Sequence, residues 1–237
     1  APVNSTPLDL GPRDPLTIED ARIFYSWFEV NMSVAETLLP QSLHPSIPAL
    51  IGITFIHADG GALGPFDLAY VGIACRTGIK PRHLITSAFC AAGPAADFFS
   101  ARYGFKCTDA KVSCGETYDR VHATINHSGR DLLELEITQC VPLVGSGAMI
   151  KYSPPLNPVN LDAHPYMVQF EAAYDFKRVI RGKPRTAQYQ AAPLGAEILI
   201  PTHAIAGSFA VVDLHLLAPR FKIDLSVPAE AGGASKL

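Results

Sequence analysis

Two histidines occupy positions where a titrating side chain could carry out chemistry. His57 follows the apolar run 49–56 and precedes Ala58-Asp59-Gly60, so it falls where a strand passes into a turn. Histidine titrates near neutral pH and can act as a general acid or base. His57 is therefore a candidate proton carrier at the end of a strand, and the alternative is an ordinary turn histidine.

His122 lies in the middle of another strand-like segment, between Val121 and Ala123. Because side chains alternate between the two faces of a strand, His122 shares a face with Arg120 and Thr124. If this face points into a cavity, its polar groups could orient a substrate. The alternative is that the same face points to solvent.

Cofactor and metal motifs are absent from the sequence. Cys90 precedes Gly93-Pro94, where a helix N-terminus could lower a thiol pKa, but a buried inert thiol is the simpler interpretation. No phosphate loop, dinucleotide fingerprint or zinc motif occurs. We therefore expect no metal site and no cofactor. The five cysteines are dispersed and should be reduced thiols; they are Cys75, Cys90, Cys107, Cys114 and Cys140.

Composition limits the class of protein. The 237 residues are 48% hydrophobic and 17% charged, with a net charge of −3, which favours one folded domain over disorder. No basic stripe indicates a nucleic-acid partner. No apolar run approaches the ~20 residues that a membrane-spanning helix needs. The first 15 residues lack a basic region followed by an apolar stretch, so no secretory signal is expected.

The elements that must position these residues are mainly strands. Apolar segments at 49–57, 66–75 and 83–90 read as strands, the first two joined by the turn Asp59-Gly60-Gly61. Gly93-Pro94 begins a helix that Gly104 should end. The alternation in Leu133–Ile137 marks a half-buried strand. We predict an α+β fold that is mainly antiparallel β, with a closed or nearly closed sheet and a few short helices.

Domain boundaries and a targeting signal can also be proposed. Residues 1–20 read as an N-terminal arm, 21–226 as a single domain and 227–237 as a flexible tail. The tail carries Ser235-Lys236-Leu237, which matches the tripeptide read by the peroxisomal import receptor. The sequence thus predicts that receptor as a partner and the peroxisome as the location.

Several segments, in this order, resemble the acetoacetate decarboxylase-like family. Arg22 precedes an aromatic strand, and Leu38-Leu39-Pro40 with Leu43 is similar to a corner of that family. Leu63-Gly64-Pro65-Phe66 resembles its turn into a strand, and Tyr103-Gly104-Phe105-Lys106 its loop after a helix. The resemblance covers roughly residues 21–225. It implies a cone-shaped β-barrel with a central pocket, a homo-oligomer and a small-molecule carbonyl substrate.

The resemblance also implies roles for particular residues. Family decarboxylases use a lysine whose amine forms a Schiff base with a keto acid, and Lys106 matches that lysine. Arg22 would then clamp the substrate carboxylate, although it could instead pair with Glu19 or Asp20. Glu116, Tyr118 and His122 are possible proton carriers. The residues expected to contact the substrate are Phe55, His57, Phe66, Leu68, Tyr118 and Arg120.

The chain departs from the family pattern at several positions. Cys107 stands where a second lysine is expected, and Leu68 and the apolar strand 51–55 stand where carboxylates are expected. The first hypothesis is a lyase that decarboxylates a keto acid or makes or breaks carbon–carbon bonds, through Lys106. The second is a cyclase, isomerase or dehydratase of secondary metabolism that has lost the lysine chemistry. The third is a non-catalytic protein that binds a small ligand.

Overall fold

The computed structural model describes residues 8–9, 14–144, 153–161, 164–190, 194 and 199–237. Within these ranges the chain forms many strands and two short α-helices, which confirms a mainly antiparallel β fold. The helices are α1 (Met32–Leu38) and α2 (Pro94–Tyr103). The strands are β1 (Leu16–Glu29), β2 (His44–Pro45), β3 (Leu50–Ala58), β4 (Phe66–Thr77), β5 (Lys80–Cys90), β6 (Cys107–Thr108), β7 (Lys111–Glu116), β8 (Arg120–His127), β9 (Arg130–Pro142), β10 (Pro155–Leu161), β11 (His164–Gln169), β12 (Ala172–Tyr189), β13 (His203–Leu216), β14 (Phe221–Asp224) and β15 (Ala234–Lys236).

These strands form one sheet in the order β15-β14-β11-β10-β5-β4-β3-β1-β13-β12-β9-β8-β7, with β2 on β4 and β6 on β5. All neighbours are antiparallel except β5 with β10 and β5 with β6. Among the described residues, β7 and β15 remain the two edges and do not pair. Of the two expected forms, closed or nearly closed, the sheet is therefore not the closed one. The sheet curls instead, so that β7 packs side by side against β3, β4 and β5 rather than hydrogen bonding to a last strand.

The curled sheet has two buried faces that we name by what covers them. The β7 face of β1, β3 and β4 carries Phe24, Phe55 and Ala69 and packs against β7–β9. The helix face of the same strands carries Ile56 and Leu68 and packs against α2. Because β3 and β4 are buried on both faces, their sequences are continuously apolar rather than alternating.

The helix ends follow local sequence signals. Pro94 is the first residue of α2, and Gly104 ends it with φ +72°, in the left-handed region that glycine adopts without strain. Helix α1 is also capped by a side chain. Asn31 is the cap, since its side-chain oxygen accepts a hydrogen bond of 3.0 Å from the Ser33 amide.

Two predicted boundaries shift. Strand β1 begins at Leu16 and pairs with β13 from that residue, so residues 16–20 belong to the sheet and not to an arm. The tail expected to be flexible contains β15, which pairs with β14 at Phe221 to Ile223. Backbone hydrogen bonding thus orders this segment at the sheet edge. No helix within the described ranges is long and apolar enough to cross a membrane.

Candidate functional site

Three neighbouring strands bring Arg22, His57 and Asp67 together on the β7 face. Arg22 of β1 lies opposite His57 of β3, and His57 lies opposite Asp67 of β4. Residues directly opposite each other in an antiparallel pair project from the same face. The turn after β3 adds a fourth group, Asp59, next to this row.

The four side chains form a continuous chain of ion pairs. The Nδ1–H of His57 donates to Asp67 Oδ1 at 2.8 Å, and its Nε2–H donates to Asp59 Oδ1 at 2.9 Å. Arg22 donates to the other oxygen of Asp59 at 2.9 Å. Because ionised carboxylates only accept hydrogen bonds, both ring nitrogens of His57 act as donors, and we assign the ring as an imidazolium.

The electrostatics agree with this assignment. Partial burial alone would lower the pKa of His57, but hydrogen bonds to Asp67 and then Asp59 outweigh burial, and the pKa is raised. The pKa of Asp59 is lowered, first by the His57 hydrogen bond and then by the charge of Arg22. His57 exposes 20% of its side chain and Asp59 exposes 69%. The proton donor is thus sheltered, while one of its two acceptors faces solvent.

A cleft of about 740 Å³ opens beside His57 and Asp67. This volume lies within the range of about 300–1,000 Å³ that small-molecule sites occupy. Its other walls come from the turn before β4, the start of β7 and the end of β8. The lining residues are His57, Ala58, Pro65, Phe66, Asp67, Ala91, Asp109, Ala110, Lys111, Val112, Asn126, His127 and Ser128. We call this cavity the His57 cleft.

Glu116, a predicted proton carrier, is held by an arginine. Both terminal nitrogens of Arg178 donate to the two carboxylate oxygens of Glu116, one of them at 2.8 Å. This bidentate pair lowers the pKa of Glu116, and the charge of Arg22 contributes as well. Glu116 therefore lies within the electrostatic reach of Arg22, but its oxygens are occupied.

Lys106 is not part of this cluster. It is exposed in the loop between α2 and β6 and forms no ion pair with a described residue. Partial burial lowers its pKa without a neighbouring cation. It lines a cavity of about 170 Å³ with Gly104 and Asn157, which includes neither Arg22 nor His57. None of the described lysines is buried, and Lys151 lies outside the described residues.

The predicted polar face of β8 points outward. Val121, Ala123 and Ile125 are fully buried on the inner side, so His122 and Arg120 project away from the core. Arg120 pairs with Asp119 and Glu136 at the surface. Apolar side chains of this strand, and not its polar ones, therefore fill the inside of the curled sheet. Tyr118 is fully exposed on the turn before β8.

The apolar candidates lie at different depths. Phe55 is fully buried beneath the cluster and meets Phe24 edge to face, with ring centroids 5.5 Å apart. Phe66 lines the His57 cleft and contacts Phe99 of α2. Leu68 is fully buried on the helix face and does not line the cleft.

Sequence reasoning missed Asp59, Asp67 and Arg178 as partners of the site. A signal for Asp67 existed, because a hairpin whose turn spans residues 59–65 pairs residue 57 with residue 67. The partnership of Arg178 with Glu116 joins residues 62 positions apart, and no local pattern indicates it. Within the described ranges, no group of side chains could hold a metal ion.

A second polar feature crosses the helix face. Ser208, Tyr25, Thr54 and Tyr70 lie opposite one another on four adjacent strands, β13, β1, β3 and β4. All four are buried, and the hydroxyl oxygen of Ser208 has no hydrogen-bond partner among the described residues. Burial raises the pKa of Tyr70 to about 12. We call these four residues the hydroxyl row.

Comparison with solved structures identifies the fold. The chain is similar to an acetoacetate decarboxylase from Legionella pneumophila (TM-score 0.75, 14% identity, covering 92% of this chain and 91% of that one). It is also similar to the enduracididine biosynthesis enzyme MppR (0.74, 13%, 92% and 91%). An acetoacetate decarboxylase-like enzyme from Sphingomonas wittichii RW1 matches with a TM-score of 0.65, at 15% identity over 100% and 98% of the two chains. The protein therefore has the acetoacetate decarboxylase-like fold.

No family model matches the sequence, and no curated protein matches it.

Proposed function

We propose that this protein is a lyase that acts on a small keto acid at the His57 cleft, without a Schiff base. The solved structures of the same fold that the chain resembles include acetoacetate decarboxylases, which supports an enzyme acting on a small carbonyl compound. The exposed position of Lys106, away from Arg22, favours chemistry that does not pass through an imine. The observation that carries the proposal is the His57 imidazolium beside Arg22 on a ligand-sized cleft.

Asp59 occupies the place that a substrate carboxylate would take. Its two oxygens accept from Arg22 and His57, and it lies on an exposed turn with Gly60 and Gly61, of which Gly61 has φ +101°. Another carboxylate can accept the same hydrogen bonds, because the donors are unchanged. Substrate binding would then move Asp59 to solvent, while Asp67 stays on its strand and keeps His57 charged.

The reaction is written for a β-keto acid. The carboxylate binds Arg22, and the keto oxygen accepts a hydrogen bond from His57. When the bond between the α-carbon and the carboxyl carbon breaks, carbon dioxide leaves and the electron pair forms an enol, whose oxygen takes the His57 proton. The enol α-carbon then accepts a proton from water, and His57 regains its proton as the ketone forms. Asp67 acts as a positioning residue, because it fixes the ring orientation and stabilises the imidazolium.

The test measures carbon dioxide release from acetoacetate and from longer β-keto acids. His57→Gln and Arg22→Gln should each lower kcat/KM by about 100-fold or more, the usual scale for a lost acid–base group. Lys106→Ala should have little effect, and borohydride should trap no adduct. His122→Gln is the matched control, since His122 faces away from the cleft. Turnover that disappears in Lys106→Ala, with a borohydride adduct at Lys106, would replace this mechanism with the imine mechanism.

The hydroxyl row favours a second candidate, a cyclase, isomerase or dehydratase acting on a larger neutral carbonyl compound. Its buried hydroxyl groups can donate hydrogen bonds to carbonyl oxygens and carry no charge. Tyr25→Phe would then abolish turnover while His57→Gln would not. If saturable binding occurs without any turnover, the protein is a ligand-binding protein instead.

Two sequence predictions stay proposals. Import into peroxisomes through Ser235-Lys236-Leu237 is tested by fusing residues 227–237 to the C-terminus of a fluorescent protein, with Lys236→Ala or Lys236→Glu as the comparison. A homo-oligomer is tested by light scattering coupled to size-exclusion chromatography.

A further inference from the structure

A second cavity, of about 440 Å³, lies at the opposite end of β4 from the His57 cleft. It sits between the β4–β5 turn and the β14–β15 pair, and we call it the tail cavity. At about 3.3 Å per residue, the ten residues from Asp67 to Thr77 separate the two sites by roughly 30 Å along the strand. The lining residues are Ser42, Thr77, Gly78, Ile79, Lys80, Arg82, Leu156, Gln169, Phe221, Ile223, Ala229, Gly232, Gly233, Ala234, Ser235 and Lys236.

The charged residues that line the tail cavity, in the part of the chain that the structure describes, are all positive. Lys80, Arg82 and Lys236 border it, and no carboxylate of a described residue does. The charge of Glu171 acts on Arg82, but Glu171 is buried outside the lining and accepts a hydrogen bond of 3.0 Å from Arg220. The tail cavity should therefore attract an anion. No carboxylate among its described lining residues pairs with its cations.

Two polar atoms at the tail cavity are buried without a hydrogen-bond partner. Arg82 donates through one terminal nitrogen to the Pro81 carbonyl at 2.8 Å, but its Nε is buried and unpaired. The Ser42 hydroxyl is also buried and unpaired, in a side chain that is 4% exposed. Buried donors without acceptors are costly, so an acceptor that entered the cavity would recover a lost interaction at both.

The remaining walls are apolar. Leu156 and Ile223 belong to a small buried cluster at the base, while Ile79 and Phe221 flank the opening. Ile79 is 93% exposed, so its apolar surface is open to a ligand at the mouth of the cavity. A ligand that covers apolar surface as well as the cations would gain from both contributions.

We propose that the tail cavity binds an amphipathic organic anion, whose acidic group meets Arg82 and Ser42 and whose apolar chain lies along Leu156 and Ile223. This inference stands apart from the proposed function, because the two sites share no residue. Strand β15 forms one wall, so a bound ligand also holds the 234–236 segment in the sheet.

The experiment uses octanoate as the probe and isothermal titration calorimetry on the full chain. Octanoate should bind one site per chain, and 1-octanol and inorganic phosphate should each bind at least about tenfold more weakly, since each lacks one of the two features. Arg82→Gln and, independently, Lys80→Gln should weaken octanoate by about tenfold or more. Two variants should bind octanoate as the parent does. They are Lys183→Gln, an exposed lysine elsewhere, and Arg22→Gln, which lies beside the His57 cleft and not at the tail cavity.

Hydrogen exchange provides the second measurement. Octanoate should slow exchange of the β15 amides in the parent protein and not in Arg82→Gln. No saturable octanoate binding, or binding that Arg82→Gln and Lys80→Gln leave unchanged in folded protein, would overturn the proposal. If Arg22→Gln abolishes octanoate binding, the octanoate carboxylate binds at the His57 cleft, and the proposal is likewise overturned. If the turnover assays show no lyase activity at the His57 cleft, the octanoate measurements keep the same interpretation.

Discussion

Mild acid should destabilise this fold through one buried histidine. His83 is fully buried between Trp27 and Tyr70, with ring centroids 5.1 and 6.1 Å away, and its ring lies over the glycine pair Gly52 and Gly72. Burial disfavours the charged ring and lowers the pKa of His83 from 6.5 to about 4. The folded protein therefore keeps this ring neutral in a pH range where the unfolded chain protonates it.

The sign and size follow from linkage. Between pH 6.5 and about 4 the unfolded state binds a proton that the folded state does not, so stability falls as the pH falls. The interval is about 2.5 pH units, and each unit corresponds to about 1.4 kcal/mol, so the free energy of unfolding should drop by roughly 3.5 kcal/mol. Other shifted groups act mainly outside this window. The raised pKa of His57 makes stability depend on pH above 6.5. The lowered pKa of Asp59 makes stability depend on pH below 3.8, the ordinary value for an aspartate.

Urea denaturation at several pH values measures this directly. The parent protein should lose stability progressively over the window, with an unchanged dependence on urea concentration. His83→Gln should be less stable near neutral pH, but its stability should vary much less across the same window. A parent protein whose free energy of unfolding stays flat from pH 6.5 to 4 would refute the assignment of a neutral, buried ring. The same series also identifies the pH at which lost activity reflects unfolding.

Three further predictions concern the site and its support. Since the imidazolium form of His57 is the proposed donor, kcat/KM should fall as the pH rises through the raised pKa of His57. Asp67→Asn should move this fall in kcat/KM to lower pH. If the fall stays at the same pH, Asp67 is not the positioning residue. Gly52→Ala should destabilise by about 1–3 kcal/mol, because the added carbon would lie 2.8 Å from the His83 ring, whereas Gly60→Ala, with open space, should cost far less in the same urea assay. Phe55→Ala should cost about 3–5 kcal/mol in thermal or urea unfolding, since the buried ring would leave a cavity beneath the cluster.

Local sequence patterns predicted much of the fold and the position of His57 near the end of a strand. The apolar runs that became β3, β4 and β5 are long enough to read as strands, and Gly104 ended α2 as its conformational freedom suggests. His57 could be placed at a strand end because the turn signal Asp59-Gly60-Gly61 follows it directly. These features depend on short stretches of chain, which a sequence shows in full.

The remaining features depend on which face of a strand is buried and on distant pairing. Alternation grouped His122 with Arg120, but only the packing of Val121 and its neighbours against β3 and β4 decided that this group faces outward. Lys106 follows the helix in sequence, yet the two cavities that it lines include neither Arg22 nor His57. Closure of the barrel could not be judged either, since it depends on whether the two edge strands meet.

The charge balance of the His57 cluster explains how a partly buried proton donor can coexist with substrate exchange. Arg22 and His57 contribute two positive charges, and Asp59 and Asp67 contribute two negative ones. Removing either carboxylate without replacement would leave a partly buried cation uncompensated, which is costly. If a substrate carboxylate replaces Asp59, the balance is kept, and because Asp59 is mostly exposed, its release to water costs little desolvation. Asp67 lies on β4 and cannot leave in this way. The division between a fixed and a replaceable carboxylate therefore favours an anionic substrate over a neutral one at this cleft.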